Sequence, residues 1–123
     1  MKKIILVIED EQALLNVVTL KLEINNFQVI PMQSVTEVFS FDLKKIAAIW
    51  LDHNLLGDEN GLDFVRKLKH LGGSFSHMPI FVVSNTSNPD IVKSYAELGV
   101  TKYYFKAEYK LEKIVEEIKN IFE

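Results

Sequence analysis

Short apolar runs alternate with helix-periodic stretches along the whole chain, and that alternation leaves few folds open. Ile4–Ile8, Ile46–Leu51 and Ile80–Val83 are unbroken runs of aliphatic and aromatic residues, as expected of strands buried on both faces. Phe27–Met32 and Thr101–Phe105 complete a set of five, Pro31 marking the end or edge position of its strand. Between them, Gln12–Asn25 carries Leu14, Leu15, Val18 and Leu22 at helical spacing. Ser34, with Glu37 three residues on, reads as a capping box opening a short helix that holds Val38 and Phe41. A third helix carries Leu62, Phe64, Val65 and Leu68 and ends at Gly72-Gly73. Asn88-Pro89-Asp90 starts a fourth, which runs to Leu98 with Gly99 as its cap. Leu111, Ile114, Val115, Ile118 and Ile121 mark the fifth. Five strands alternating with five helices predict an α/β fold: a flavodoxin-like, doubly wound, five-stranded parallel sheet of order 2-1-3-4-5. At 123 residues the chain is expected to be a single domain, 1–123, and is too short for an eight-stranded barrel.

Composition narrows the function. The absence of cysteine removes disulfide scaffolds, thiol catalysis and Cys-ligated zinc together. A net charge of -3 with scattered Lys and Arg argues against direct nucleic-acid binding. The run after Lys2-Lys3 is too short for a signal peptide and ends in Glu9-Asp10-Glu11, and no stretch is long enough to cross a bilayer. A cytoplasmic protein with no membrane contact is the expectation.

In a sheet of this order, ligands bind beyond the carboxyl ends of the strands, where the order reverses between strands 1 and 3. Strand 1 ends in Glu9-Asp10 and strand 3 in Asp52, so three carboxylates from distant parts of the chain meet in one crevice. Strand 4 delivers Ser84 to the same rim and strand 5 delivers Lys106. Clustered acids resist full ionisation unless a cation is present, and an all-oxygen donor set suits a hard ion such as Mg²⁺. An aspartate, a metal and a positioned lysine together suit acyl-phosphate chemistry at a carboxylate nucleophile.

These residues resemble the response-regulator receiver domains, whose pattern is an acidic pair after strand 1, an Asp after strand 3, a Ser or Thr after strand 4 and a Lys after strand 5. The resemblance covers essentially the whole chain. It implies a receiver of a two-component signalling system, phosphorylated on Asp52 in a Mg²⁺-dependent reaction by a sensor histidine kinase, a phosphotransfer protein or a small phosphodonor. Glu9, Asp10, Asp52 and the Asn54 backbone carbonyl would hold the metal. Lys106 and Ser84 would contact the phosphoryl group, and Ser84 and Tyr103 would form the switch. The chain would be no enzyme beyond its own phosphorylation and dephosphorylation. By the same analogy, Val92, Tyr95, Tyr103 and Tyr104 mark a face for partner contact.

The chain departs from that pattern in three places. Ala107 replaces the Pro common after the lysine, which predicts a trans Lys106–Ala107 bond, since cis before a non-proline residue costs roughly 2.5–4 kcal/mol. Asn85 stands where a small residue is usual. The loop Leu55–Gly61 lacks a Pro, is longer by one residue and adds the acids Asp58 and Glu59 near the metal site. These departures suit an alternative, a pseudo-receiver that binds a partner without being phosphorylated. A haloacid-dehalogenase-type hydrolase would need an Asp two residues after the nucleophile, where this chain has Asn54. A GxGxxG dinucleotide fingerprint is absent. His53 is expected to pack away from the Asp52 side chain rather than ligate, and Trp50 to lie in the core.

Overall fold

A computed structural model describes residues 2–123. The strands β1 (Ile4–Ile8), β2 (Gln28–Met32), β3 (Ile46–Leu51), β4 (Ile80–Ser84) and β5 (Lys102–Phe105) form one parallel sheet in the order β2-β1-β3-β4-β5, the order expected. Strand alternation divides their side chains between two cores. Ile5, Val7, Ala48, Trp50, Phe81 and Val83 pack beneath α1 (Gln12–Ile24) and α4 (Leu111–Ile121). Leu6, Ile8, Ile49, Leu51, Ile80 and Val82 pack beneath α2 (Gly61–Leu71) and α3 (Pro89–Glu97). Trp50 is buried in the first core, as expected. Asn88 caps α3 by accepting the Asp90 amide at 2.9 Å, and Gly99 follows that helix at φ 79°.

The described residues contain four α-helices, not five. Where a helix opening at Ser34 was expected, the chain makes two 3₁₀ turns, Val38–Ser40 and Leu43–Lys45. Ser34 caps nothing; its hydroxyl lies 3.3 Å from Thr36 Oγ1, and Asp42 instead holds the second turn by accepting the Lys44 amide at 3.1 Å. Length is one reason. A five-residue strand rises about 16 Å, and a helix retracing that distance needs about 11 residues. The segment between Met32 and Ile46 must also supply two loops. Composition is the other: Val35, Thr36, Val38, Phe39 and Phe41 are poor helix formers. Buried Val35, Val38 and Leu43 anchor the turns by packing rather than by backbone periodicity.

Two of the four residues expected on a partner face are corrected. Tyr95 and Tyr104 are 0% and 1% exposed, so neither can meet a partner, while Val92 and Tyr103 are half-buried. Ile91, Tyr95 and Leu98 recur at four- and three-residue spacing, which puts Tyr95 on the inner stripe of its helix. Adjacent Tyr103 and Tyr104 point to opposite faces of β5. No described peptide bond is cis, Lys106–Ala107 included. No helix among the described residues is long and apolar enough to cross a membrane.

Candidate functional site

The β1–β3 register runs from Ile5↔Ala48 to Ile8↔Leu51, so Glu9 and Asp52 leave the sheet side by side. The Asp52 amide continues the ladder by donating to Ile8 O at 2.9 Å. Beyond this edge the carboxylate oxygens of Glu9, Asp10 and Asp52 come within 4.8 Å of one another. Lys106 reaches across from the end of β5, its Nζ donating to Glu9 Oε1 at 2.8 Å and to Asp52 Oδ2 at 3.3 Å. Its backbone is fixed by the Lys106 amide donating to Ser84 O at 2.8 Å. Glu9, Asp10, Glu11, Asp52, Asn54, Asn85 and Lys106 line an open cleft of about 450 Å³.

Ser84 ends β4 at the same rim but is fully buried, and its Oγ accepts the Thr86 amide at 3.3 Å. Tyr103 lies farther along, its hydroxyl donating to Thr86 O at 2.6 Å. Asp58 and Glu59, expected near the metal site, do not line the cleft; Glu59 pairs with Lys67 of α2 instead. The donor set is all oxygen, and when fully ionised its three carboxylates exceed the one ammonium by two negative charges. That balance fits a divalent hard cation.

Burial sets the electrostatics. Glu9 has no exposed surface, and that burial, with Asp10 and Asp52 beside it, pushes its carboxyl up to about 7 against the opposing pull of Lys106. For Lys106, burial works to lower the ammonium pKa. The Glu9 hydrogen bond and the Asp52 and Glu9 charges outweigh burial and hold it above the ordinary lysine value. Folded metal-free protein therefore keeps the Glu9 proton between pH 4.5 and about 7, whereas the unfolded chain releases it near the ordinary value of 4.5. Stability from this group is present below that lower value and is lost as pH rises to about 7. His53 acts oppositely, since burial lowers its pKa and costs stability as pH falls below the unfolded imidazole value. The Glu9 contribution is thus read as the difference between wild type and Glu9→Gln in urea titrations at pH 5 and pH 8 with EDTA. Wild type should lose more stability than the variant over that interval, and equal losses would refute the assignment.

Four supports of the site were missed in the sequence. His53 packs as expected, with its ring turned to Tyr95 rather than to the cleft, but Nδ1 also shares a 2.7 Å hydrogen bond with the Tyr95 hydroxyl. The His53 amide donates to Asp52 Oδ1 at 2.8 Å and so orients the carboxylate. At the start of α2, Asn60 and Asp63 form a capping box of 2.9 and 3.2 Å, whose spacing was visible in the sequence. Gly61 follows, so close to Asp52 O that a Cβ there would sit 2.6 Å away.

Comparisons with known proteins bear on this arrangement. No curated protein matches the sequence. Among solved structures, the Mn²⁺-bound form of response regulator Rcp1 superposes with TM-score 0.81 at 24% identity, over 98% of this chain and 94% of that one. The BeF₃-activated DrrB receiver domain gives TM-score 0.83 at 20% identity, over 99% and 98%. The non-phosphorylated HemR receiver domain from Leptospira biflexa gives TM-score 0.85 at 19% identity, over 98% and 94%. At these identities the superpositions establish the fold. The family follows from the sequence itself, because residues 5–119 match the response regulator receiver domain model. With a match that spans nearly the whole chain, this protein belongs to the response regulator receiver domain family of two-component systems.

Proposed function

We propose that this receiver accepts a phosphoryl group on Asp52, from a sensor histidine kinase, a phosphotransfer protein or a small phosphodonor, with Mg²⁺ held by Glu9, Asp10, Asp52 and the Asn54 carbonyl. The observation that carries this reading is the convergence of three carboxylates within 4.8 Å, with Lys106 Nζ spanning two of them. Asp52 Oδ2 attacks phosphorus; the new O–P bond forms as the donor's P–N or P–O bond breaks, and the leaving group departs with the electron pair. Lys106 then moves from Asp52 to a phosphoryl oxygen while keeping Glu9, and the Ser84 hydroxyl turns to donate to another. Bound Mg²⁺ would neutralise charge on the transferring oxygens. The Mn²⁺ in Rcp1 and the BeF₃ in DrrB support a cation and a phosphoryl mimic on this fold. Asp58 and Glu59 do not line the cleft, so the longer loop gives no reason to favour a non-phosphorylated receiver. The chain would act as no enzyme beyond its own phosphorylation and dephosphorylation, and would do so in the cytoplasm. Intact-mass measurement with acetyl phosphate tests the reading: one added phosphoryl group with Mg²⁺, and none with EDTA.

The same reading predicts opposite effects at Asp10. Lys106 bonds Glu9 and Asp52 but not Asp10, which leaves Asp10 the acid of the cluster without a lysine contact. Asp10→Asn removes one repulsive charge and one metal ligand. In EDTA the variant should be more stable by about 0.5–2 kcal/mol, the usual yield of surface-charge relief. In a Mg²⁺ titration it should bind at least tenfold more weakly. A lower melting temperature in EDTA would contradict the repulsion.

A further inference from the structure

Tyr95 lies on α3, far along the chain from the acceptor, yet its hydroxyl is packed against the backbone that carries Asp52. It is fully buried, and its hydrogen bond to His53 Nδ1 measures 2.7 Å. Gly61 closes the other side. Its amide donates to His53 O at 2.8 Å, and a Cβ on it would lie 2.6 Å from Asp52 O and 2.6 Å from the Tyr95 hydroxyl. Asp52, His53, Gly61 and Tyr95 thus form one close-packed knot. From it the His53 amide reaches out to Asp52 Oδ1 at 2.8 Å. The Tyr95 ring also meets the Tyr103 ring, with centroids 5.8 Å apart.

We propose that Tyr95 is a positioning residue for phosphoryl transfer, coupling α3 through His53 to the orientation of the Asp52 carboxylate. The inference rests on Asp52 being the acceptor. With Oδ1 fixed by the His53 amide, Oδ2 is the oxygen left facing Lys106 and the cleft. A rotation of the residue 52–53 peptide would turn that oxygen off line. The Tyr95 hydroxyl resists it by holding the His53 ring from a different element. Small errors of aim carry large rate costs, on the order of a hundredfold for a 1 Å displacement of reacting groups. Coupling of this kind is reciprocal: what shifts α3 alters Asp52, and phosphorylation of Asp52 alters α3.

Tyr95→Phe deletes only the hydroxyl and leaves the buried ring in place. With acetyl phosphate and Mg²⁺, the maximal labelling rate should fall about three- to tenfold while the half-saturating acetyl phosphate concentration stays unchanged. His53→Phe should slow labelling similarly, and the double variant should be no slower than the slower single one, because both act through one hydrogen bond. Multiplied effects in the double variant, or wild-type rates in Tyr95→Phe, would overturn the proposal. A second readout does not depend on labelling. The His53 backbone amide proton reports its bond to Asp52 Oδ1, and Tyr95→Phe should shift its NMR resonance more than those of surface α3 amides. An unmoved His53 amide would equally overturn the coupling. If wild type takes no phosphoryl group while the amide does shift, the acceptor assignment fails and the coupling stands.

Discussion

Asp52→Asn is expected to abolish phosphoryl incorporation from acetyl phosphate and Mg²⁺, where the wild-type chain is expected to gain one group. The substitution is nearly isosteric, and the carboxamide oxygen it introduces can still accept the His53 amide. Lys106 keeps its 2.8 Å bond to Glu9, and the cluster loses one repulsive charge. Folding is therefore spared, and the loss is chemical: an amide replaces the nucleophilic carboxylate. Glu9 and Asp10 share the cleft but are poorer acceptors. Glu9 is fully buried, with one oxygen on Lys106 and the other accepting the Glu11 amide at 3.1 Å. Asp10 lacks the lysine contact altogether. Asp52 has one oxygen anchored and the other held at only 3.3 Å. Labelling that persists undiminished in the variant would move the nucleophile to Glu9 or Asp10, and peptide mapping would say which.

What was legible in the sequence followed one rule. Residues at the carboxyl ends of buried parallel strands share a rim, and strand ends are visible where an apolar run stops. Glu9, Asp10, Asp52, Ser84 and Lys106 could all be placed that way, with no knowledge of loops or packing. The Ser34–Lys45 crossover broke a different rule, because a capping pattern states only how a helix would start and not whether the chain has length to make one. The His53–Tyr95 pair was illegible for a third reason. The two residues are 42 apart, each has an ordinary packing explanation alone, and only the fold brings the hydroxyl to the ring. Reading Tyr95 as a contact residue relied on analogy where the spacing of Ile91, Tyr95 and Leu98 already pointed inward.

Gly61→Ala tests how tightly the knot beneath Asp52 is packed, and two effects oppose each other there. Gly61 opens α2 without a positive φ, so alanine fits its backbone conformation. A shorter list of unfolded conformations would by itself stabilise the variant by about 0.4–1 kcal/mol. Against this stands the added methyl group, 2.6 Å from Asp52 O, 2.6 Å from the Tyr95 hydroxyl and 3.1 Å from His53 Cα. The tyrosine oxygen can swing away at the cost of its bond to His53. The Asp52 carbonyl and His53 Cα cannot, because they belong to backbone held by the Asp52 bond to Ile8 O and the Gly61 bond to His53 O. Overpacking of a close-packed core costs about 1–3 kcal/mol, and a clash against backbone belongs at the upper end. The steric effect wins, with a net loss of about 2 kcal/mol and a melting temperature lower by several degrees. Labelling should slow as well, since relief of the clash displaces the residues that aim Asp52. Thermal melting in EDTA and labelling rates on the same preparation separate the two consequences. A variant as stable as wild type would mean that the start of α2 swings outward freely, and that Gly61 is no fixed wall of the site.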